Sequence, residues 1–450
     1  MRPDAGPGVG GGHLARSLAL VQGWVDTGGT AVLVADSNRV PGEWLDRYRR
    51  EGVDVTDVGR KTMGDWYVLD GYRFGADDYA RARERGRLLV IDDHGRVAGH
   101  AADLVVDHNP GASAADYPCR SAGVDVLLGS RYALVRRQLR DAAAAVATRP
   151  VSDRIRLLVT LGAEPARPLL DCIEEALGHP ALAGLAVEVL DGRADVVDAM
   201  VGADLALAGA GVTATELCVF GVPAVLLAVV GNQEPVAAAL EAAGAAVTAS
   251  PADAASIARA LTALVGDHER RGRMAAAGRA LVDGRGALRV VVRLRADLLR
   301  LRPATGGDAS RLFEWANDPV VRYASFSSAP IPWDDHVAWV EHSVADPSRH
   351  VFIVEGEGGE PIGQVRLDVD GAEAEISVGL GAQHRGRALG PAAIDAGVRR
   401  LWAETPVTRV VARIRSENRS SVVAFGDAGF LPDGKGTDGS STWLRYSRCR

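Results

Sequence analysis

Residues 9 to 18 read "VGGGHLARSL", so three glycines run into His13, and Arg16 follows one helical turn later. Leu14, Leu18, Ala19 and Val21 make the stretch behind them apolar and helix-like. At a helix N-terminus the dipole disfavours the protonated imidazole, which leaves neutral His13 available to take a proton from water. Glycines such as Gly12 let backbone and ligand come close. The plainer alternative is a histidine that caps the helix or bonds a carbonyl. Arg16 reads as a structural partner of Asp4 or Asp93. A second cluster is "GAQHRGRALGPAAIDAGVRRL" at 381–401, where Gln383, Gly386 and Ala388 fit Q/R-x-x-G-x-G/A with Arg385, Arg387 and Gly390 interleaved. Small residues there admit a pyrophosphate to the backbone N–H groups, and the following helix aims its positive end at it. A third is "ADLALAGAGVTATELCVFGVPAV", in which Gly209, Gly211 and Thr213 open a helix and Glu216 lies one turn on. N–H groups and a hydroxyl suit a diphosphate, and a carboxylate suits the two hydroxyls of a ribose. Thr213 and Glu216 also satisfy the pattern of a capping box.

These clusters need strand ends to present them. Between about Gly28 and Asp107, "TAVLVAD", "DWYVLDGY", "RLLVIDDHG" and "ADLVVDH" alternate with polar helix-length stretches. That is the pattern of a parallel α/β sheet buried on both faces. After "RQLRDAAAAVATRPVSDR" a second alternation runs from "RIRLLVTLGAEP" through "LAVEVL", "ADLALAG" and "VPAVLLAVV" to a helical tail near 296. Two such lobes enclose a cleft, with ligands expected at the carboxyl ends of the strands. From 297 the pattern changes to a strand, an acid-started helix and the consecutive strands "HVFIVEG", "PIGQVRLDVD" and "AEAEISVGL", an antiparallel meander. The expected architecture is α/β: two Rossmann-like lobes (1–148 and 149–296) followed by an α+β domain (297–450).

With 450 residues and 47% hydrophobic content, two to three soluble domains are expected. The net charge of −7 argues against a nucleic-acid partner. Lys61 and Lys435 are the only lysines among 51 basic residues, so a lone arginine carries little information here. The longest apolar run, Cys218 to Val230, is too short to span a bilayer, and the N-terminus lacks a signal-peptide core. Cysteines at 119, 172, 218 and 449 fit neither a disulfide framework nor a zinc cluster, so a reducing cytoplasm and no metal are expected.

The 381–401 loop follows a strand ending at Leu380, and "VVARIRSENRSSVVAFGDAGF" follows it, with Asn418 and Ser421 as N-x-x-S and Gly429-Phe430 closing a helix. Together these elements resemble the GCN5-related N-acetyltransferases over 298–450. "LRPAT…LFEWANDPVVR" resembles the branch with ribosomal-protein and amino-sugar acetyltransferases. The resemblance implies acetyl-CoA as donor, with its phosphates at Gln383, Arg385, Gly386, Arg387, Ala388 and Gly390. It further implies that Asn418 and Ser421 lie at the pantetheine arm, with Val378 on the splayed strand that binds its amides. Amide formation needs an unprotonated amine, so a carboxylate at the strand mouth, Glu375 or Glu373, is the candidate base. Phe425 stands where many members have a tyrosine, so the general acid is unassigned.

In the first half, "RPDAGPGVGGGH..R", "VLDGY" at 68–72, "VIDDHG" at 90–95, "LLGSRYALVR" at 127–136, "LGAEP" at 161–165, "GVP" at 221–223 and "GNQ" at 231–233 fall in order. They resemble the two-domain (GT-B) sugar-nucleotide enzymes, in particular the UDP-2,4-diacetamido-2,4,6-trideoxy-β-L-altropyranose hydrolases of pseudaminic acid synthesis. This implies UDP-sugar contacts from Gly12, Arg16, Tyr72, Gly162, Gly209, Gly211, Thr213, Glu216, Asn232 and Gln233. Tyr72 reads equally as core packing. The departures are Met1 directly before Arg2, where that family has a strand, "LGAEP" for a double glycine and aspartate, and "AGVT" for "GGST". The implied function is bifunctional: acetyl-CoA-dependent N-acetylation of a UDP-4-amino-4,6-dideoxy sugar, then removal of UDP by inverting hydrolysis. The alternatives are a glycosyltransferase cleft fused to an acetyltransferase, or a non-catalytic nucleotide-binding module on a peptide N-acetyltransferase.

Overall fold

Runs such as "RLLVI" and "LALAG" place Leu88, Leu89, Val90, Leu205 and Leu207 fully inside, because a parallel strand is covered on both faces. The computed structural model describes residues 1–450 except 7–8, 10, 37, 96–101, 119–122, 147–153, 163–164, 191–195 and 439–440. The chain forms two compact units, Met1–Val25 with Gly29–Ala287, and Asp26–Gly28 with Leu288–Arg450.

Among the described residues of the first unit, β1 (Arg2–Pro3), β2 (Val32–Val34), β3 (Asp54–Thr56), β4 (Trp66–Asp70), β5 (Arg87–Ile91), β6 (Leu104–Asp107) and β7 (Asp125–Leu128) come first. They form a parallel sheet in the order β1-β4-β5-β6-β7, with β2-β3 as a separate parallel pair. The amide of Val34 donates to the Met1 carbonyl at 2.8 Å and joins the pair to β1. β1 itself is two residues long. Next follow β8 (Arg156–Thr160), β9 (Ala186–Val189), β10 (Leu205–Gly209), β11 (Ala224–Leu227) and β12 (Ala246–Ala249), parallel in the order β12-β11-β10-β8-β9. Both predicted α/β lobes lie in this one unit. The expected boundary at 148/149 falls outside the described residues.

The second compact unit takes up the chain from Leu288, nine residues before the expected 297. The Gly286–Ala296 helix ends on Ala296, which packs with Ala392 and Ala396, and Asp297 just beyond it pairs with both Arg293 and Arg399. These contacts carry the helix into the second unit. That unit's sheet runs β13 (Arg300–Pro303), β14 (Arg349–Glu355), β15 (Pro361–Asp370), β16 (Glu373–Leu380), β17 (Arg409–Arg415), β19 (Ser441–Cys449) and β18 (Leu431–Asp438) in spatial order. Side chains alternate across β14: Phe352 and Val354 join the core with Ile394 and Val398 of the Leu389–Glu404 helix, and Val351 and Ile353 face Leu312, Trp315 and Val340. That helix lies close on the sheet at Gly397, where a Cβ would sit 2.7 Å from Val365. All pairings are antiparallel except β16 with β17, whose register holds only for Glu373–Arg409, Ala374–Val410 and Glu375–Val411. Beyond Glu375 and Val411 the two strands separate.

Candidate functional site

Parallel strands deliver their carboxyl ends to one edge. Asp70 ends β4, Asp93 lies two residues past β5, and His108 and Asn109 follow β6, so three neighbouring strands aim polar groups at the start of the Gly12–Asp26 helix. There the buried Arg16 is the hub. Its Nε and Nη2 donate to Asp70, with Nη2–Oδ1 at 2.7 Å, and its Nη1 and Nη2 donate to Asp93, with Nη1–Oδ1 at 2.7 Å. Of the two partners expected for Arg16, Asp93 is engaged, and Asp4 pairs with Arg73.

His13 Nδ1 lies 2.7 Å from Asp70 Oδ1, and Nη2 of Arg16 lies 3.1 Å from the same nitrogen. A carboxylate only accepts, so the shorter contact places the proton on Nδ1 and leaves the Nε2 lone pair open. Asp70, 57 residues away in sequence, thus sets its tautomer. The Tyr72 ring packs edge-on against His13 with centroids 4.9 Å apart. Its hydroxyl donates to Asp93 at 2.5 Å and accepts from Asn232 Nδ2 at 3.0 Å. Tyr72 is therefore a bridge between the two sheets of this unit, and at 39% exposure it is not core packing.

The second sheet contributes its own strand ends. Gly162 follows β8 with φ +94°, Gly209 ends β10, and Gln233 follows β11 with its amide within 4 Å of the positions a Cβ would take at Gly209 and Gly211. A Cβ on Gly12 would lie 3.5 Å from Val212, the first residue of the Val212–Phe220 helix, so the starts of these two helices lie together. Two expectations fail here. The Thr213/Glu216 capping box does not form, because Gly211 is the N-cap. Glu216 is not open to a ribose: it is 3% exposed and takes Nε and Nη2 of Arg136 at 3.1 and 3.0 Å.

Electrostatics keep the hub charged. Asp70 and Asp93 are buried, yet Arg16 holds both carboxyls well below the usual range, and their fields hold Arg16 protonated despite its own burial. His108 is pushed down to about 4, first by burial and then by Arg16, against the pull of Asp93 and Asp70. Its native form is therefore neutral, whereas the unfolded histidine takes a proton near pH 6.5. Between about pH 6.5 and 4 the unfolded state therefore binds more protons, and stability falls as pH falls through that window. We expect chemical denaturation to lose about 3 kcal/mol across it, and His108→Asn to flatten that slope.

In the second unit, Ala388 is the N-cap of the Leu389–Glu404 helix with φ +55°, and Gly386 two residues earlier has φ +78°. Nothing lies within 4 Å of a Cβ built on Gly386. A loop of this kind ahead of a helix start has the geometry that suits an anion cradle. Arg385 does not point into it: its guanidinium bonds the Leu380 carbonyl and Asp318, bracing the loop against the end of β16. Asn418 caps the Arg419–Asp427 helix through Oδ1 and the Ser421 amide at 3.1 Å, which explains the N-x-x-S spacing as a cap. Phe425 is in the core, edge-on to Phe430. Val378 lies on the stretch of β16 that has left β17. Glu375 stands at the last paired position before the strands part, with both oxygens 3.0 Å from Arg413 Nε, and Glu373 is held by Arg445 and Arg409. Sequence reasoning missed Asp70 and Arg413; the position of Asp70 at the end of an apolar strand run was the available signal for the first.

A sheet splayed after one short parallel pairing, with a glycine loop and helix start beside the splay, defines an acyl-coenzyme A type of domain. Residues 299–431 match the family described as Acetyltransferase (GNAT) domain, and this part of the chain is such a domain. The spermidine N-acetyltransferase from Vibrio cholerae, solved with CoA and spermine, is 18% identical, covering 34% of this chain and 96% of its own, with a TM-score of 0.32. The aminoglycoside acetyltransferase AAC(6')-Ib, solved with coenzyme A, is 21% identical, covering 34% and 95%, with a TM-score of 0.31. The chain matches none of the curated proteins. Among the described residues no helix is long and apolar enough to cross a membrane, and no group of three His, Cys, Asp or Glu side chains could hold a metal ion.

Proposed function

We propose that the chain is a bifunctional nucleotide-sugar enzyme. Its second unit N-acetylates the 4-amine of a UDP-4-amino-4,6-dideoxy sugar, and its first unit, a GT-B-type cleft, hydrolyses UDP from the resulting UDP-2,4-diacetamido-2,4,6-trideoxyhexose, as in pseudaminic acid synthesis. Acetyl-CoA supplies the activated acetyl group as a thioester. The open space at Gly386 and the left-handed turns at Gly386 and Ala388 suit its pyrophosphate, with Gln383 to Gly390 as the cradle. Val378 and its neighbours on the separated part of β16 offer backbone amides to the arm. Glu375 receives the amine proton.

In the crevice, His13 Nε2 takes a proton from a water whose oxygen bonds to the anomeric carbon as the bond to the UDP oxygen breaks. UDP is a stable anion and leaves without a strong acid, so a single displacement with inversion suffices. Asp70 holds the imidazole, and the helix start at Val212 with Gly209, Gly211 and Thr213 suits the diphosphate. The observation that carries the hydrolase half is the His13–Asp70 contact at 2.7 Å beside Tyr72. NMR of the UDP-4-amino sugar incubated with enzyme and acetyl-CoA tests the whole: wild type gives the free diacetamido sugar, and His13→Ala stops at the acetylated nucleotide sugar. Free sugar forming at an undiminished rate without the histidine would remove the mechanism.

A further inference from the structure

The Glu375–Arg413 pair occupies a particular place. Glu375 is the last residue of β16 in register with β17, opposite Val411, and Arg413 is the next residue of β17 on the same face. The pair therefore spans the two strands at the point where they part. Both side chains are partly open, at 39% and 46%. Arg413 also lies over the Phe326 ring, 5.8 Å from its centroid. Arg415 bonds the carbonyls of Tyr323 and Ser325 and holds this segment at the mouth, where Tyr323 and Phe326 are 73% and 43% exposed. Three further carboxylates of this face are matched too: Glu373 and Asp433 by Arg409 and Arg445, and Asp368 by Arg349 and Arg366. A polycationic amine would meet an arginine at each of these carboxylates.

We infer that the Glu375–Arg413 pair is an acceptor lock that selects amines carrying an anion next to a planar base. While the pair is closed, both oxygens of Glu375 are engaged by Arg413 Nε. A phosphate of the incoming acceptor takes the guanidinium, which binds phosphate oxygens in the same forked geometry as carboxylate, and a nucleobase lies on Phe326 and Tyr323. Glu375, so released, faces the amine. The ammonium gives one proton to Glu375 and a second to the departing sulfur as the new C–N bond replaces the C–S bond, leaving amide, thiol and a protonated carboxylate. Arg413 is thus a specificity residue of the acetyl transfer.

The inference rests on the acetyltransferase reading of this unit and on the nucleotide-linked acceptor proposed for it. Steady-state acetylation by the full chain would be measured on the UDP-4-amino sugar, on the methyl glycoside of the same amino sugar and on spermidine, for wild type, Arg413→Gln and Arg413→Lys. Wild type should favour the UDP-linked amine over both others. Arg413→Gln should lower kcat/KM for the UDP-linked amine about tenfold or more, mainly through KM. The same variant should raise turnover of the methyl glycoside severalfold, since Glu375 is no longer held, and Arg413→Lys should recover part of the preference. An unfolded variant would lose all three acceptors together, and the change in their ratio separates selection from stability. Equal use of the UDP-linked amine and the methyl glycoside, or a ratio unaltered in Arg413→Gln, overturns the lock and leaves the acetyltransferase standing. No transfer to any amine overturns both.

Discussion

Asp70→Asn is expected to cut UDP release from the diacetamido nucleotide sugar by 10²–10⁴-fold, the usual range for a positioned acid or base. The carboxylate accepts from His13 Nδ1, Arg16 Nε and Nη2, and Ser17 Oγ within 3.0 Å. An amide keeps the shape but gives one edge a donor. If that edge meets Nδ1, the imidazole must present its lone pair inward and a proton on Nε2, which is the wrong tautomer for a base. The same change leaves Asp93 as the one carboxylate on Arg16, and losing a hydrogen bond to a charged group costs about 1.5–3 kcal/mol. His13→Gln, assayed beside it, removes the base while keeping the Asp70–Arg16 contact. Product release followed by NMR, together with a denaturation midpoint, separates the two. Both variants should fail in hydrolysis, and only Asp70→Asn should lose about 1.5–3 kcal/mol. Hydrolysis at wild-type rate in a folded His13→Gln protein would sink the proposed role.

Gly386→Trp should abolish acetylation while leaving UDP release from a pre-acetylated substrate intact. Gly386 has φ +78° and open space where its Cβ would be, so an indole fills the place assigned to the pyrophosphate. The backbone there also disfavours any L side chain by about 1–2 kcal/mol. Gly386→Ala carries that strain with little bulk and serves as the control. Acetyl-CoA affinity, read by calorimetry, should fall at least 100-fold in the tryptophan variant and far less in the alanine variant. Equal losses would assign the effect to backbone strain. Retained acetyl-CoA binding in Gly386→Trp would move the cradle elsewhere.

Much of this was legible in local pattern. Apolar runs located β2, β4, β5, β6, β8, β10 and β11 because a buried parallel strand must be apolar on both faces, and "LAVEVL" located the exposed edge strand β9. The short, exposed or irregular β1, β3 and β7 gave no such signal. The glycine loop at 386 and the cap at Asn418 were readable because backbone conformation and capping are set within four residues.

Local pattern was thus enough for most of the elements, for the class of the C-terminal domain, and for singling out His13, Arg16 and Glu375. What each of these side chains touches depends on the fold. His13 meets Asp70 across 57 residues, Tyr72 meets Asn232 across 160, Glu216 is taken by Arg136 across 80, and Glu375 by Arg413 across 38. In a chain with 51 basic residues, nearly all arginine, nothing local tells a carboxylate which guanidinium it will meet. That choice follows from sheet order, because adjacent parallel strands bring loops far apart in sequence to one edge, where charge and hydrogen-bond geometry select the partner.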